Sequence, residues 1–502
     1  MRHAAALIAL VLAACGSSGS SSSDRAAATP QQGGVAVYLT TADLSQTLAR
    51  QPDLAFSAGE GSAASAITVD SATQYQALTA GFGVAMTDTS AWLLHEVLPQ
   101  DQRDAAMDAL FSPERGIGLS YLRLGIGGTD FNHDAQPYTY DDLPDGQTDP
   151  ALARFSIHRD KAYLLPMIRQ ALALNPAITV VAAPWSPPAW MKTDGQMIPR
   201  GPTTTLKSDA YQPLADYFVK FVQAYAAEGV PVHQISLQNE PYNPLLLVAG
   251  IPGMFLSPLD EAKLLKNHVA PAFAAAGITA QPQIWDFFYN VSETFIPLVM
   301  AQAGEQVGAF AYHCYLSDAR AMSIEHALYP DVPEYETECS SNLSNIEPAQ
   351  MTIRALRNWA QGVQLWNAVL DENLGPKFGN GCRGLPGSPH SGEDCIAPVI
   401  VNTDKKTFNF TSDYWALAHF SKFIQLGARR IDSTATSQCI DEPVFPPACG
   451  LENVAFENPD GSRVLVATTH QGEAAFSVNE GGAHFDFRLP EGATVTFAWQ
   501  PE

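Results

Sequence analysis

The sequence predicts a closed barrel of alternating strands and helices with an antiparallel β-sandwich appended to it. Three observations support this prediction. Eight short apolar or alternating runs recur between about residues 78 and 415, with helix-like segments between them. After residue 416 the runs alternate in polarity and are separated by turn-forming residues. Strand-like runs also precede the barrel, in 34–77, so both chain ends are expected to build the sandwich.

The eight barrel strands are predicted at the short apolar or alternating runs, because their alternation with helix-like segments indicates parallel strands with helical crossovers. They cover 81–86, 121–126, 179–183, 234–238, 283–287, 308–313, 334–338 and 363–367. The stretch 211–228 illustrates a crossover helix, because its large apolar residues recur at spacings of three and four. An open nucleotide-binding sheet needs a glycine-rich turn after its first strand, but Gly81 and Gly83 lie within that strand. We therefore predict a (β/α)8 TIM barrel over 78–415.

The sandwich is predicted from shorter runs at both ends of the chain. In 416–502 they lie at 454–456, 463–468 and 494–499, and the turn formers lie at 458–461 and 479–482. In 34–77 the runs lie at 35–40 and 66–70. Period-two alternation of this kind is typical of strands with one buried face.

The first 15 residues are predicted to be an export signal. A basic start is followed by an apolar run of 11 residues and by small residues that lead to Cys15. The apolar run is too short to span a bilayer. Residues 12–15 (Leu-Ala-Ala-Cys) resemble a bacterial lipobox, and 16–33 begin as a Gly/Ser-rich tether. We expect an envelope protein anchored through lipid on Cys15, on the periplasmic or outer-membrane face. The alternative is a secreted protein with a chance cysteine.

The charge of the chain limits its partners. Its 502 residues carry a formal net charge of −24. Nucleic acids and anionic membrane surfaces both require a basic face, so neither is expected as a partner. An acidic surface tolerates neutral substrates such as sugars, and membrane attachment would depend on the lipid anchor alone.

Six further cysteines in an exported chain indicate disulfides. Cys382 with Cys395, and Cys439 with Cys449, would each close a short loop rich in glycine and proline. Both pairs are therefore predicted to be disulfides.

Cys314 and Cys339 directly follow His313 and Glu338, and whether they pair is left open. The sequence contains neither a Cys-x-x-Cys pair nor a His-Glu-x-x-His motif. No metal and no cofactor are expected.

Two carboxylates close predicted strands and suggest the chemistry. Glu240 lies in Gln-Asn-Glu-Pro (238–241) after the fourth strand, and Glu338 ends the seventh. A parallel barrel brings the carboxyl ends of its strands to one face, where catalytic groups collect. Retaining hydrolysis of a glycosidic bond needs two such carboxylates. Glu336 lies two positions before Glu338, on the same predicted strand face, and is expected to be a paired structural acid one layer deeper in the barrel.

Further motifs follow one another in a consistent order along the chain. The longest are Gly-Phe-Gly-Val-Ala-Met-Thr-Asp (81–88) and Pro-Trp-Ser-Pro-Pro-Ala-Trp-Met-Lys (184–192). Others are Asp-Phe (130–131), Gln-Asn-Glu-Pro (238–241), His-Cys-Tyr (313–315), Thr-Glu-Cys-Ser (337–340), Trp-Asn (366–367) and His-Phe-Ser-Lys-Phe (419–423). Together these motifs resemble glycoside hydrolase family 30, the family that includes glucosylceramidases, and the resemblance covers roughly 80–500.

The resemblance implies roles for individual residues. Glu240 corresponds to the acid/base and Glu338 to the nucleophile, while Asn239 corresponds to the partner of the sugar 2-hydroxyl. The implied substrate-binding positions are Asp88, Arg123, Trp185, Asn239, His313, Tyr315 and Trp366.

The expected function is retaining hydrolysis of a β-glycoside by double displacement. The family suggests β-glucosides, β-1,6-glucan or glucosylceramide-like substrates, the last of which belong to sphingolipid metabolism. The alternatives are a β-xylosidase or xylanase of the same family and a non-catalytic glycan-binding lipoprotein. An inverting glycosidase is a further alternative, and it needs a wider carboxylate gap of about 6.5–9.5 Å.

Overall fold

The computed structural model describes residues 34–501 except 62, 64, 202–203, 245–248, 316, 341–346, 381, 385–391, 436–449 and 471. The predicted lipidation site Cys15 and the predicted pair Cys439 and Cys449 lie outside the described residues. No described helix is long and apolar enough to cross a membrane.

The chain begins with four strands that precede the barrel. They are β1 (Gly34–Thr40), β2 (Ala49–Ala55), β3 (Ser57–Ala58) and β4 (Ser65–Ala77). Two of them match the runs predicted at 35–40 and 66–70.

Eight parallel strands then close a barrel, which confirms the predicted fold class. They are β5 (Gly81–Ala85), β6 (Tyr121–Gly125), β7 (Thr179–Ala183), β8 (Gln234–Ser236), β9 (Gln281–Phe288), β10 (Ala309–His313), β11 (Glu334–Glu338) and β12 (Ala360–Leu365). Neighbours in the chain are neighbours in space, and β12 pairs with β5 to close the ring. Most of these residues are buried, as expected for strands covered on both faces.

Helices connect the strands and cover the barrel. Their bounds are Asp88–Trp92, Gln100–Phe111, Leu164–Leu174, Tyr211–Ala227, Pro258–Leu264, Ala270–Ala276, Ser292–Ala303, Arg320–Leu328, Pro348–Arg357 and Ser412–Ser421. Helical turns of π type lie at Leu93–Val97 and Leu265–Val269, and 3₁₀ turns at His158–Lys161, Ala189–Met191 and Gly304–Gln306. Helix Tyr211–Ala227 buries Leu214, Phe218 and Phe221, as its predicted apolar stripe requires.

A small sheet follows the barrel. It contains β13 (Val369–Asp371), β14 (Val399–Asn402) and β15 (Thr407–Phe410). The long connection from β13 to β14 holds the disulfide between Cys382 and Cys395, with Cα atoms 5.3 Å apart, which confirms that predicted pair.

Both chain ends build the sandwich, as predicted. The C-terminal strands are β16 (Arg429–Ser433), β17 (Leu451–Glu457), β18 (Arg463–Thr469), β19 (Ala474–Glu480), β20 (Ala483–Leu489) and β21 (Thr494–Trp499). The sheet order is β2-β1-β21-β18-β17-β16-β4-β19-β20-β3. The 13-residue strand β4 joins the two halves and pairs with β19 in parallel. That pair differs from the predicted antiparallel arrangement, because β4 comes from the other chain end and no hairpin fixes its direction.

The predicted domain boundary at 415/416 falls inside helix Ser412–Ser421. This helix packs on β5 of the barrel and on β1 and β21 of the sandwich. His419 is fully buried between the hydroxyls of Thr40 and Thr496, each 2.8 Å from one ring nitrogen. The helix therefore serves as a shared layer between the two units.

Candidate active site

The two predicted carboxylates meet at the carboxyl end of the barrel. Glu338 is the last residue of β11, and Glu240 follows β8. Their exposed fractions are 5% and 7%. One carboxylate oxygen of each and one ring nitrogen of His313 all lie within 4.8 Å of one another.

Two extra residues shape the strands on either side of β10. Relative to β10, Asp286 is an insertion in β9 and Thr337 an insertion in β11. Such bulges bend a strand and redirect its side chains. Thr337 Oγ1 donates to Asp286 Oδ1 at 2.7 Å, so the two bulges are joined across the end of β10. Asp286 has a φ of 45°, in the left-handed region that few non-glycine residues adopt.

The bulge in β11 also corrects the prediction for Glu336. Tyr335 packs against Tyr121 and other lumen side chains, so its neighbour Glu336 faces away from the lumen. The inserted Thr337 then returns Glu338 to the lumen. Glu336 accepts a hydrogen bond from the hydroxyl of Tyr289, as a paired structural acid, but it does not share a face with Glu338.

Arg123, on β6, is the buried cation at the centre of the site. Its Nη1 donates to Glu338 Oε2, and its Nη2 donates to Asn239 Oδ1 and Asp286 Oδ2, both at 2.8 Å. Burial lowers the pKa of the Arg123 guanidinium, but the charges of Asp286 and Glu338 outweigh burial and raise that pKa overall. Arg123 thus supplies a fixed positive charge beside Glu338.

Tyr315 completes the contacts of Glu338. Its hydroxyl donates to Glu338 Oε1 at 2.8 Å, while Arg123 holds Oε2. Each oxygen of the carboxylate therefore has its own donor.

His313 connects the acid Glu240 to Asp286. Its Nδ1 lies 3.2 Å from Glu240 Oε1, and its Nε2 lies 3.1 Å from Asp286 Oδ1. Burial lowers the pKa of His313, but the surrounding carboxylates, beginning with Glu338, outweigh burial and raise it to about 10. At neutral pH both ring nitrogens are therefore protonated and donate to the two carboxylates.

The pKa values of the two carboxyl groups that contact His313, those of Glu240 and Asp286, are shifted in opposite directions. Burial raises the pKa of Glu240, and the negative charge of Glu338 adds to this, although His313 opposes it. Burial also acts to raise the pKa of Asp286, but Arg123 and His313 outweigh it and lower that pKa overall. Asp286 is thus held ionised while Glu240 retains a proton more readily, as a general acid requires.

Two groups of three potential metal ligands are close together within the described ranges. One is Glu240 with His313 and Glu338, and the other is Glu336 with Cys314 and Cys339. In the first, the imidazole nitrogens carry protons at neutral pH. In the second, the two sulfurs are joined to each other. Neither donor set suits a metal ion in these states.

The disulfide between Cys314 and Cys339 answers the question left open by the sequence. Their Cα atoms lie 5.3 Å apart. Because these residues follow His313 and Glu338 directly, the bond joins the carboxyl ends of β10 and β11 next to the two functional side chains.

Two tryptophans predicted as sugar contacts line the site together. The rings of Trp185 and Trp366 stack with centroids 4.9 Å apart. The Arg123 guanidinium carbon lies 5.0 Å from the Trp185 centroid and 5.6 Å from the Trp366 centroid. The rings therefore also shield the buried cation.

Asp88 has a different environment from the other predicted sugar contacts. Its Oδ1 accepts hydrogen bonds from the backbone N–H and ring Nδ1 of His133, both at 2.8 Å. Its Oδ2 accepts from the Tyr163 hydroxyl at 2.6 Å. Both oxygens are occupied by protein donors, so the contacts give Asp88 a supporting position, and its contact with a sugar stays a prediction.

The sequence assigns no role to two acids of the site, although Asp130 lies in the Asp-Phe motif (130–131). Asp286 was not assigned a role, although a charged residue inside the apolar run 283–287 was a usable signal. Asp130 is buried, and its Oδ1 has no hydrogen-bond partner among the described residues. Burial, together with the charge of Glu338, raises the pKa of Asp130 to about 8, so its carboxyl group is mostly neutral at pH 7.

Comparison with protein families identifies this arrangement. The Glycosyl hydrolase family 30 TIM-barrel domain matches residues 79–424, and the family 30 beta sandwich domain matches residues 427–497. The chain belongs to glycosyl hydrolase family 30. It is therefore a glycoside hydrolase, as the sequence motifs predicted.

The relatives of this chain include endo-1,6-beta-D-glucanases and glucosylceramidases. The chain is 34% identical over 397 residues to an endo-1,6-beta-D-glucanase of Neurospora crassa, which covers 77% of both chains. It is 28% identical over 407 residues to the lysosomal acid glucosylceramidase of Mus musculus, covering 78% of this chain and 75% of the relative. The solved structure of the endo-beta1,6-glucanase BT3312 superposes with a TM-score of 0.76 at 29% identity, covering 93% of this chain and all of the other.

Proposed function

We propose that this family 30 enzyme hydrolyses β-1,6-linked glucan with retention, using Glu338 as nucleophile and Glu240 as acid/base. The observation that carries the mechanism is the proximity of the two carboxylates, which bring oxygens within 4.8 Å of each other. Retaining enzymes hold the pair about 5–5.5 Å apart, whereas inverting enzymes leave about 6.5–9.5 Å for a water molecule.

In the first step, Glu338 attacks the anomeric carbon while Glu240 protonates the departing glycosidic oxygen. The glycosidic bond breaks and an ester forms between the sugar and Glu338. Glu338 is then neutral, so the like charge that helped to raise the pKa of Glu240 disappears.

In the second step, Glu240 takes a proton from water, which attacks the anomeric carbon. The ester bond breaks, Glu338 regains its negative charge, and the sugar leaves with its original anomeric configuration. Arg123 stabilises the regained charge, since its Nη1 already contacts Glu338 Oε2.

Asn239 is suited to bind a sugar hydroxyl. Its Oδ1 is taken by Arg123 at 2.8 Å, which leaves the amide Nδ2 oriented as a neutral donor. A donor fixed in this way can strengthen its bond to a ring hydroxyl in the transition state.

The substrate follows from the relatives more than from the geometry. Endo-1,6-beta-D-glucanases share more identity with this chain than the glucosylceramidases do, which favours β-1,6-glucan. Glucosylceramide hydrolysis is the second candidate, because glucosylceramidases also match over three quarters of the chain.

A substrate panel with product anomers followed by NMR tests the proposal. The panel contains β-1,6-glucan, glucosylceramide, xylan and aryl β-glucosides. We expect gluco-oligosaccharides from β-1,6-glucan, with the β-anomer formed first. Initial release of the α-anomer would contradict retention, and turnover of only glucosylceramide or xylan would contradict the substrate.

We also propose that the enzyme is exported and anchored through lipid on Cys15. The lipobox-like residues 12–15 and the Gly/Ser-rich run at 16–23 support this proposal. Labelling cells with radioactive palmitate should give a labelled band that is lost in Cys15→Ala. An unlabelled wild-type protein would rule the anchor out.

A further inference from the structure

A tight turn after Glu240 brings the side chain of Asn243 back onto its carboxyl group. The backbone N–H of Asn243 donates to the Glu240 carbonyl at 3.3 Å, and Asn243 Nδ2 donates to Glu240 Oε2. The exposed fractions of Asn243 and Glu240 are 8% and 7%. Glu240 has a φ of 49°, in the left-handed region that few non-glycine residues adopt. The turn thus holds both the main chain and the carboxyl group of this residue.

The two oxygens of Glu240 have different environments. Oε1 lies 3.2 Å from His313 Nδ1, and the same nitrogen lies 3.9 Å from Glu338 Oε1. Oε2 is bound by Asn243 on the other side. Oε1 is therefore held by the protonated imidazole of His313, which also lies near the nucleophile, and Oε2 is held by a neutral amide.

A neutral donor is well suited to an acid that must both lose and regain a proton. An amide N–H bonds to a carboxyl oxygen in the ionised form and, through a remaining lone pair, in the protonated form as well. A second charged donor, in addition to the protonated His313 at Oε1, would favour the ionised form strongly and oppose its reprotonation. The contact can therefore persist through both steps of the reaction.

We propose that Asn243 is a positioning residue that holds the carboxyl group of Glu240 in the orientation needed for proton transfer. This inference rests on the acid/base role given to Glu240 in the proposed function. Asn243 acts through Glu240, so its loss is expected to slow proton transfer rather than nucleophilic attack.

The turn has other supports, which makes the side chain testable by itself. The Pro241 carbonyl accepts a hydrogen bond from the Leu256 N–H at 2.7 Å. The Tyr242 ring packs against Phe255, with centroids 5.1 Å apart. Truncating Asn243 therefore leaves main-chain and ring contacts that hold the turn.

The test compares two leaving groups in Asn243→Ala, using phenyl and 2,4-dinitrophenyl β-gentiobiosides. The phenyl leaving group departs as phenol and needs a proton from the acid, whereas 2,4-dinitrophenolate departs as the anion. For the phenyl substrate we expect kcat/KM to fall roughly tenfold, the size of one hydrogen bond to an ionisable group. For the dinitrophenyl substrate we expect kcat/KM to stay within about twofold, since acid catalysis contributes little there.

The pH profile gives a second readout. Asn243 contributes to lowering the pKa of Glu240, because its hydrogen bond favours the ionised form. In Asn243→Ala the basic limb of kcat/KM for the phenyl substrate should move to higher pH. A purely structural role predicts no such movement.

Asn175→Ala is the matched control. Asn175 is also a buried amide, 4% exposed, and its Nδ2 donates to the Leu119 carbonyl at 2.9 Å. It precedes β7 and so lies at the amino end of the barrel, far from the proton transfer. We expect Asn175→Ala to affect both substrates equally.

Two results would overturn the proposal for Asn243. One is an equal loss on both substrates in Asn243→Ala, and the other is no loss on either. Glu240→Gln, measured in parallel, separates this proposal from the one it rests on. If Glu240→Gln shows no dependence on the leaving group, the acid/base role itself fails, whatever Asn243→Ala does.

Discussion

The two ends of the barrel lumen are filled by different kinds of side chains. At the carboxyl end, Arg123 forms buried ion pairs with Glu338 and Asp286, and His313 forms them with Glu240 and Asp286. At the amino end the polar contacts are between neutral groups. The Tyr121 hydroxyl donates to Gln234 Oε1 at 2.8 Å, and Tyr335 lies beside it, with ring centroids 5.7 Å apart.

The difference shows where the protein retains buried charge. Removing ions from water costs free energy that pairing offsets only in part, so a neutral plug is the less costly way to fill a lumen. Charge at the carboxyl end has a use, because the reaction creates and removes negative charge on Glu338 and Glu240. The same end contains left-handed residues, Glu240 with a φ of 49° and Asp286 with 45°. Function thus accounts for the buried charge at this end.

The largest expected effect comes from neutralising either functional glutamate. Glu338→Gln and Glu240→Gln should each lower kcat on β-1,6-glucan by roughly 10³-fold or more, because one loses the nucleophile and the other the proton donor. Steady-state kinetics with circular dichroism tests this. Glu336→Gln is the matched control on the same strand, and it should keep activity, since Glu336 faces Tyr289 and not the lumen. Loss of activity in Glu336→Gln would contradict the conclusion that Glu336 points away from the barrel lumen.

The next effect tests the geometry of the buried cation. Arg123→Lys keeps a positive charge but loses the planar fork that contacts Glu338, Asn239 and Asp286. We expect kcat/KM to fall roughly 10²-fold, because the nucleophile and the sugar-binding amide both lose a fixed donor. Activity close to that of the wild type would show that charge alone is sufficient at this end.

A substitution at the amino end should affect stability without affecting chemistry. Tyr121→Phe removes the donor to Gln234 Oε1, whose unpaired carbonyl should cost about 1–2 kcal/mol in the free energy of unfolding. Urea denaturation measures this cost, and kcat/KM measured in parallel should be unchanged. A change in the pH profile of kcat/KM in Tyr121→Phe would instead show that the two ends of the barrel lumen are coupled.

The last effect is confined to the pH dependence of stability and concerns a buried acid that belongs to neither end. Glu325 lies on helix Arg320–Leu328, and neither carboxyl oxygen has a hydrogen-bond partner among the described residues. Burial raises its pKa from 4.5 to about 7. The folded state therefore keeps the proton at pH values where the unfolded chain has lost it, and stability falls as pH rises from about 4.5 to about 7.

Glu325→Gln should reduce this pH dependence by on the order of 2 kcal/mol. Unfolding free energies of the wild type and the variant at pH 5 and pH 8 provide the measurement. The same decline in both proteins would show that Glu325 is not a source of it.

Strand and helix positions were predictable because their signals are local. The runs at 179–183 and 334–338 match β7 and β11 residue for residue. Burial on both faces leaves near-continuous apolar runs in parallel strands, and turn residues mark their ends. Glu240 and Glu338 could be proposed as a pair since strand order alone places their carboxyl ends on one face.

The contacts between strands were not predictable in the same way. Asp286 and Thr337 are inserted relative to β10, and an insertion exists only with respect to a neighbouring strand. That is why Glu336 was expected on the same face as Glu338. Pairing of Cys314 with Cys339 likewise depends on how β10 and β11 are aligned.

The sequence by itself determined the barrel, the appended sandwich and the two strands that end in functional carboxylates. Only the tertiary structure decided which carboxylate on β11 faces the lumen, which groups keep Glu240 and Asp286 at different protonation, and which side chain holds each oxygen. The physical reason is that hydrophobic periodicity and turn chemistry act within a segment. Register, burial and charge–charge interactions arise between segments, and they exist only once the barrel has closed.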